Sequence, residues 1–190
     1  MREVEPIFNE AALDRLRELA SIGAAHAATA FARLMGRTVR MEVPRMRTRG
    51  EPGSALDCDS GVFFEVEGGL GGVIALLFPP GARAALLRRL LGAGSAANDR
   101  ELQASALREF GNILASHVVS AIADTLGTRI LPSIPVLALE SVGSALASLL
   151  AHRGREGEAL RFECEIFDGE GELRGLVVLV PDRASDTVRA

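Results

Sequence analysis

A carboxylate and a carboxamide are spaced three residues apart in the second half of the chain, and a serine lies four residues before the carboxylate. Ser105, Glu109 and Asn112 stand at positions i, i+4 and i+7, which places their side chains in a narrow sector of a helix. We call these three residues the second stripe. The sequence therefore presents a hydrogen-bond acceptor and an amide that both donates and accepts, side by side on one helix face.

The same pattern occurs 91 residues earlier, where Asp14, Glu18 and Ser21 form what we call the first stripe. A proline, Pro44 or Pro135, follows the last member of each stripe after 23 residues. Six further identities share this offset: Leu16 with Leu107, Ile22 with Ile113, Ala24 with Ala115, His26 with His117, Ala30 with Ala121 and Gly36 with Gly127. A single register over about thirty positions indicates an internal duplication.

A lone Glu-x-x-Asn pair is ordinary on a solvated helix, and its surface could have no function. Asn112 argues against that interpretation, because asparagine is a poor residue for the interior of a helix. Its position lies mid-helix, with no helix end nearby for it to cap. Helix stability therefore does not explain the second stripe.

The composition of the chain argues against several classes of function. The chain has 190 residues, 48% of them hydrophobic, and a mean hydropathy of +0.21, enough for one good core. A net charge of -4 and an aromatic content of 4% disfavour nucleic-acid binding. The charged N-terminus lacks the apolar stretch of a signal peptide, and no apolar run is long enough to span a bilayer. We expect a cytoplasmic protein without membrane insertion.

Cysteines and histidines give no catalytic or metal pattern. Cys58 and Cys164 lack a C-x-x-C spacing, which favours two buried, reduced thiols. Three histidines form no ligand cluster, and for His26 and His117 we expect packing in the core or at an interface. The glycines of 68–72 lack the G-x-G-x-x-G spacing and indicate a hairpin turn. No motif of a self-contained hydrolase occurs.

Periodicity and turn residues predict an α+β fold. The first half comprises a helix over about 10–35, a strand over 38–46, a hairpin of 61–67 and 73–78, a helix over 82–91 and a linker over 92–98. The second half comprises a helix over about 99–126, a strand over 128–132, a helix over about 138–152 and a hairpin of 159–167 and 173–180. We expect one domain over 1–190, with repeats at about 10–92 and 99–181 and a tail at 182–190. Each repeat is a long helix plus three strands, and a pseudo-twofold axis joins the two repeats into one mostly antiparallel sheet covered by helices.

The pattern of each stripe and its proline, with Gly-Asn-Ile at 111–113, resembles the CheC, CheX and FliY family of CheY-phosphate phosphatases, and CheC most closely. The likeness covers roughly residues 10–181, including the tandem duplication. It implies that Glu109 pairs with a lysine of a phosphorylated CheY-like response regulator, while Asn112 orients water for attack on the aspartyl phosphate. Ser105 and Pro135 would support this site. The regulator would supply the Mg²⁺, so the chain needs no cofactor or metal of its own.

The first stripe departs from the family pattern, because Ser21 replaces the asparagine while Asp14, Glu18 and Pro44 are kept. A serine hydroxyl is shorter and would reach the same water poorly. We expect one active site of two, with the degenerate face either docking a regulator or kept only for the fold. The resemblance also implies CheD as a candidate partner. The rival hypothesis is a non-catalytic module, as in flagellar switch proteins, that binds a receiver domain or CheD.

Overall fold

The computed structural model describes residues 8–48, 54–92, 94, 99–153 and 160–182. The first half contains α1 (Glu10–Met35), β1 (Val39–Met41), β2 (Arg45–Arg47), a short 3-10 helix (Ser54–Asp57), β3 (Ser60–Gly68), β4 (Gly72–Phe78) and α2 (Ala82–Leu91). The second half contains α3 (Arg100–Leu126), β5 (Ile130–Pro132), β6 (Val136–Ala138), α4 (Val142–His152), β7 (Arg161–Asp168) and β8 (Arg174–Pro181).

Eight strands form one sheet in the order β1-β7-β8-β4-β3-β5, with β2 also paired to β7 and β6 also paired to β3. Every described pairing is antiparallel. The two hairpins β3–β4 and β7–β8 meet at the centre, where β4 pairs with β8. The predicted α+β class, with one mostly antiparallel sheet covered by helices, is confirmed.

The short outer strands of each half pair with the long hairpin of the other half. β1 and β2 pair with β7, and β5 and β6 pair with β3. The registers match: Val39–Asp168, Arg40–Phe167 and Met41–Ile166 in one half correspond to Ile130–Gly68, Leu131–Glu67 and Pro132–Val66 in the other. This regularity supports the duplication, while the repeat boundaries stay a prediction.

The strand predicted over 38–46 is broken into β1 and β2, and an unpredicted strand, β6, follows the predicted strand at 128–132, which corrects the three-strand unit. Residues 38–46 contain β1 and the start of β2, and Pro135 separates β5 from β6. Proline has no N–H to continue a ladder. Ser133 bridges the second break, because its N–H donates to the Glu65 carbonyl at 2.8 Å and its Oγ accepts from the Glu65 N–H at 3.0 Å.

The predicted start of the helix at about 138 is also wrong. Residues 136–138 form β6 against β3, and α4 begins only at Val142. A pairing with a distant strand therefore overrides the local helical pattern. Most of the predicted linker at 92–98, and all of the tail beyond 182, lie outside the described residues.

The ends of the long helices agree with the sequence. Asn9 caps α1 by accepting the Ala12 N–H at 2.8 Å, and Asp99 caps α3 by accepting the Glu101 N–H at 2.9 Å. Gly36 and Gly127 end the helices with φ of 63° and 61°, a left-handed conformation that favours glycine.

α1 and α3 pack against each other on one face of the sheet. Phe31 and Phe110 meet edge to face with ring centroids 5.3 Å apart. At Gly23 an added Cβ would lie 2.9 Å from Val118 Cγ1, so a small residue there permits the close approach. α4 covers the opposite face through Val142, Leu146 and Leu150. Within the described part of the chain, no helix combines the length and apolarity needed to cross a membrane.

Candidate active site

The second stripe lies on the exposed face of α3, as its spacing predicts. Ser105, Glu109 and Asn112 are all exposed. The opposite face of the same turns is buried, with Leu107, Phe110, Gly111 and Leu114 in the core. Burial of one helix face therefore points the polar triplet towards solvent.

Gly111 sets the height of α3 above the sheet at the turn that carries Asn112. A Cβ added there would lie 2.8 Å from Val62 Cγ1 and 2.9 Å from Val62 Cβ. The absence of a side chain lets the helix rest directly on β3. The Gly-Asn dipeptide thus combines a close backbone contact with an adjacent exposed amide.

The side-chain polar groups of Glu109 and Asn112 have no partner within the described chain. Within the ranges that the structure covers, neither the Glu109 carboxylate nor the Asn112 amide makes a hydrogen bond or an ion pair with the chain. The Asn112 main-chain carbonyl accepts a hydrogen bond from Ser116 Oγ at 2.7 Å. A cation and a water molecule from outside the chain could therefore bind these two groups without displacing an internal partner.

Ser105 and Pro135 were predicted as supporting residues. No hydrogen bond joins Ser105 to Glu109 in the described chain, so its role stays a prediction. Pro135 is half-buried in the break between β5 and β6. Val62, on which Gly111 rests, pairs with Leu137 of β6, so this edge of the sheet runs beside the turn of α3 that carries Asn112.

A shallow groove follows the stripe along α3. Its lining residues are Glu109, Asn112, Ile113, Ser116, His117 and Ser120. His117 and its counterpart His26 are both exposed, so the expectation of core packing is wrong for both. The signal was present in the sequence, because eight residues separate His117 from Glu109, which is about 80° around a helix.

The first stripe differs from the second in its neighbours as well as in Ser21. The Asp14 carboxylate pairs with Arg17 at 2.6 Å, and the Glu18 carboxylate pairs with Arg15 at 3.1 Å. Ser21 is half-buried, and Pro44 is buried. Position 106, the equivalent of Arg15 in the second half, is an alanine. Within the described part of the chain, the glutamate carboxylate therefore has an ion-pair partner in the first stripe and none in the second.

Neither cysteine belongs to this site. Cys58 and Cys164 are buried and form no disulfide with each other, as predicted. Burial, reinforced by nearby carboxylates, raises the pKa of Cys58 to about 12 and that of Cys164 to about 11. Across the residues that the structure describes, no group of three or more His, Cys, Asp or Glu side chains could hold a metal ion.

Two sequence comparisons give matches that cover the second stripe. Residues 102–138, which contain the second stripe and Pro135, match the model of the CheC-like family. The CheY-P phosphatase CheC of Bacillus subtilis is 31% identical over 192 residues, spanning 93% of this chain and 92% of the relative.

Solved structures share the fold. FliY of Thermotoga maritima matches with a TM-score of 0.71 and 19% identity, covering 97% of this chain and 96% of the other. FliM in a FliG–FliM complex from H. pylori matches with a TM-score of 0.68 and 15% identity, covering 95% of this chain and 98% of the other. A CheX–CheY–BeF3–Mg²⁺ complex from Borrelia burgdorferi matches with a TM-score of 0.58 and 13% identity, covering 85% of this chain and 95% of the other. At these identities the likeness concerns the fold alone.

Proposed function

Because the chain belongs to the CheC-like family, we propose that it hydrolyses the aspartyl phosphate of a CheY-like receiver domain. The observation that carries this proposal is that Glu109 and Asn112, on the exposed face of α3, have no side-chain polar partner among the residues that the structure describes. The name of the Bacillus relative and the CheX–CheY complex of a similar fold support a CheY-like partner.

In the proposed mechanism, the helix face enters the active site of the phosphorylated receiver. The Glu109 carboxylate pairs with a lysine of the receiver, and the Asn112 amide holds the attacking water. The water oxygen forms a bond to phosphorus while the bond between phosphorus and the aspartyl oxygen breaks, giving inorganic phosphate and a free aspartate. Phosphoryl transfer has a loose transition state, so positioning the water contributes most of the available catalysis.

The neutral amide matters for charge as well as geometry. The phosphoryl oxygens are negative, and a carboxylate in place of Asn112 would repel them at short range. An amide holds water without that repulsion. The receiver supplies the Mg²⁺ in this proposal, so the chain contributes positioning and no metal ligand.

We assign catalysis to the second stripe alone. Ser21 is shorter than asparagine and half-buried, and Glu18 is already paired with Arg15. Ser105 and Pro135 are proposed to shape the active face, whereas Asp14 and Pro44 belong to the degenerate one.

The alternative is a non-catalytic module that binds a receiver domain or CheD. Ser21 in the first stripe and the fold shared with FliY and FliM favour it. The two functions differ in turnover, because a module protects or ignores the phosphoryl group, while an enzyme removes it at substoichiometric amounts. Binding to CheD and a cytoplasmic location stay predictions.

The decisive experiment follows the decay of a phosphorylated CheY-type receiver in Mg²⁺ with substoichiometric protein. We expect faster decay with the wild type and loss of that acceleration in Asn112→Ala, Asn112→Asp and Glu109→Ala. Ser148→Ala, an exposed change on α4 at the opposite face of the sheet, serves as the control and should keep the activity. Retained activity in both Ala variants would exclude the mechanism, and unchanged decay despite demonstrated binding would establish the module.

A further inference from the structure

His117 lines the same groove on α3 as Glu109 and Asn112, and the proposed mechanism gives it no role. Its side chain is exposed. In the described ranges of the chain, the imidazole has no hydrogen-bond or ion-pair partner. A group that can both donate and accept a hydrogen bond therefore faces solvent beside the two proposed site residues.

The internal duplication distinguishes His117 from most other exposed residues of α3. From the start of each stripe to the end of the groove, residues 14–29 and 105–120, five pairs of equivalent positions are exposed in both helices. Three of these pairs differ in residue type: Asp14 and Ser105, Ala25 and Ser116, and Thr29 and Ser120. The two pairs that keep the residue are Glu18 with Glu109 and His26 with His117. Packing in the core does not explain an identity at an exposed position, so the histidine, like the glutamate, fits a contact with another molecule.

A receiver that places its phosphoryl group at Asn112 also covers His117. The two residues are five apart, which is about 7.5 Å along the helix axis. Around the helix they flank Glu109, with His117 about 80° to one side and Asn112 about 60° to the other. Even a small, transient interface of about 500 Å² per partner spans a patch of roughly 13 Å radius. His117 therefore lies inside the area that a docked receiver occupies.

We propose that His117 is a docking residue, whose imidazole forms a hydrogen bond with a polar group of the receiver beside its phosphorylation site. This inference rests on the proposed function and adds a residue to the same site. His117 contributes to the affinity for the receiver, while Glu109 and Asn112 carry out the chemical step. Ser116 is less suited to this role, because its hydroxyl already donates to the Asn112 main-chain carbonyl at 2.7 Å.

The test measures the dissociation constant of a CheY-type receiver, activated with beryllofluoride and Mg²⁺, for the full chain. His117→Ala should weaken binding roughly two- to tenfold, the effect of one lost hydrogen bond. His117→Gln keeps a donor and an acceptor and should bind more tightly than His117→Ala.

His152→Ala is the matched control, because His152 is an exposed histidine at the end of α4, on the opposite side of the sheet. It should leave the dissociation constant unchanged, and circular dichroism checks that all variants are folded. Equal weakening of binding by His152→Ala and His117→Ala would overturn the proposal.

Turnover separates this inference from the proposed function. His117→Ala should raise KM and leave kcat unchanged, whereas Asn112→Ala removes turnover. A wild-type dissociation constant in His117→Ala would overturn the docking role while leaving the phosphatase intact, and so would a lower kcat at unchanged affinity. A wild-type chain that binds the receiver without hydrolysis would contradict the proposed function, and the effect of His117→Ala on binding would still decide the docking role.

Discussion

Asn112 and Ser21 occupy equivalent places on two similar helices, yet their surroundings differ in two respects. The Asn112 side chain is exposed and unpaired, while Ser21 is half-buried. Glu18, the companion of Ser21, is also held by Arg15. An exposed ion pair contributes only about 0.2–1 kcal/mol, so a cation on a partner can compete for Glu18. The missing amide is therefore the larger of the two defects.

Restoring the amide should recover part of the activity. In an Asn112→Ala background, Ser21→Asn should give phosphatase activity above that of Asn112→Ala alone. Adding Arg15→Ala releases Glu18 and should raise this activity by a further factor of up to about five. The rate of receiver dephosphorylation is the measurement, and Arg33→Ala, near the far end of the same helix, is the control. Absence of any gain would show that the first face no longer docks a receiver.

At the scale of single elements, glycine positions decide how closely the helices approach the sheet. Gly111 touches Val62 of β3, whereas a Cβ at Gly143 of α4 would meet nothing within 4 Å. Alanine favours a helix over glycine by about 1 kcal/mol when no steric conflict intervenes. The same substitution should therefore have opposite effects at the two sites.

We predict that Gly111→Ala lowers the free energy of unfolding by about 1–3 kcal/mol, because the added methyl group overpacks the contact with Val62. It should also reduce phosphatase activity by displacing the turn that carries Asn112. Gly143→Ala should raise the free energy of unfolding by up to about 1 kcal/mol. Urea denaturation measures both, and equal stability changes would contradict the packing argument.

The β7–β8 hairpin depends on a buried carboxylate. Asp168 accepts the Leu173 N–H at 3.2 Å and a hydrogen bond from Arg37 Nη1 at 2.9 Å. Burial by itself raises the pKa of Asp168, but these hydrogen bonds and the Arg37 charge outweigh it and lower the pKa below its ordinary value. The charged form is therefore the one that the fold stabilises.

This shift predicts how stability depends on pH. Because the pKa of Asp168 is lower in the folded state, its contribution is present above the ordinary value of about 4 and is lost as the pH falls through the folded value. Asp168→Asn should reduce the free energy of unfolding at pH 7, and its difference from wild type should shrink below pH 4. Denaturation at pH 7, 5 and 3 measures this, with exposed Glu140→Gln as the control. A difference that does not vary with pH would contradict it.

At the scale of the whole molecule, the sheet separates the candidate site from a second hydrophobic cluster. α1 and α3 cover one face, and α4 covers the other through Val142, Leu146 and Leu150. The second stripe lies on α3, so the α4 layer contributes to stability without touching the site. Stability and activity should therefore respond separately to substitutions in α4.

Leu146→Ala should lower the free energy of unfolding by about 2–3 kcal/mol, because it opens a cavity beneath α4. The kcat of the folded enzyme should stay unchanged, since no described contact joins Leu146 to the stripe. Leu102→Ala, at a position that is 39% exposed, should cost less than 1 kcal/mol. Thermal denaturation and receiver dephosphorylation at low temperature are the two measurements. A lower kcat in Leu146→Ala would show coupling through the sheet.

The sequence by itself determined the features that depend on near neighbours along the chain. The stripes follow from i, i+4 and i+7 spacing, the C-terminal ends of the long helices from Gly36 and Gly127, and the hairpins from alternating residues around a turn. The N-caps Asn9 and Asp99 are also local, although we did not predict them. The ion pair of Arg15 with Glu18 is also local, at i and i+3, although we did not predict it.

Only the tertiary structure decided the pairing of the outer strands and the late start of α4. Strands of three residues, such as β5 and β6, are too short to show a period, and their partner β3 lies more than sixty residues away. Ala138, where the predicted helix begins, lies instead in β6, because β3 offers backbone groups with which this segment pairs. At the two edges of the sheet, exposed Leu131 and Val136 stand where the other half has Arg40 and Arg45. This difference also became visible only with the sheet order, because sequence alone cannot show that a position lies at an edge.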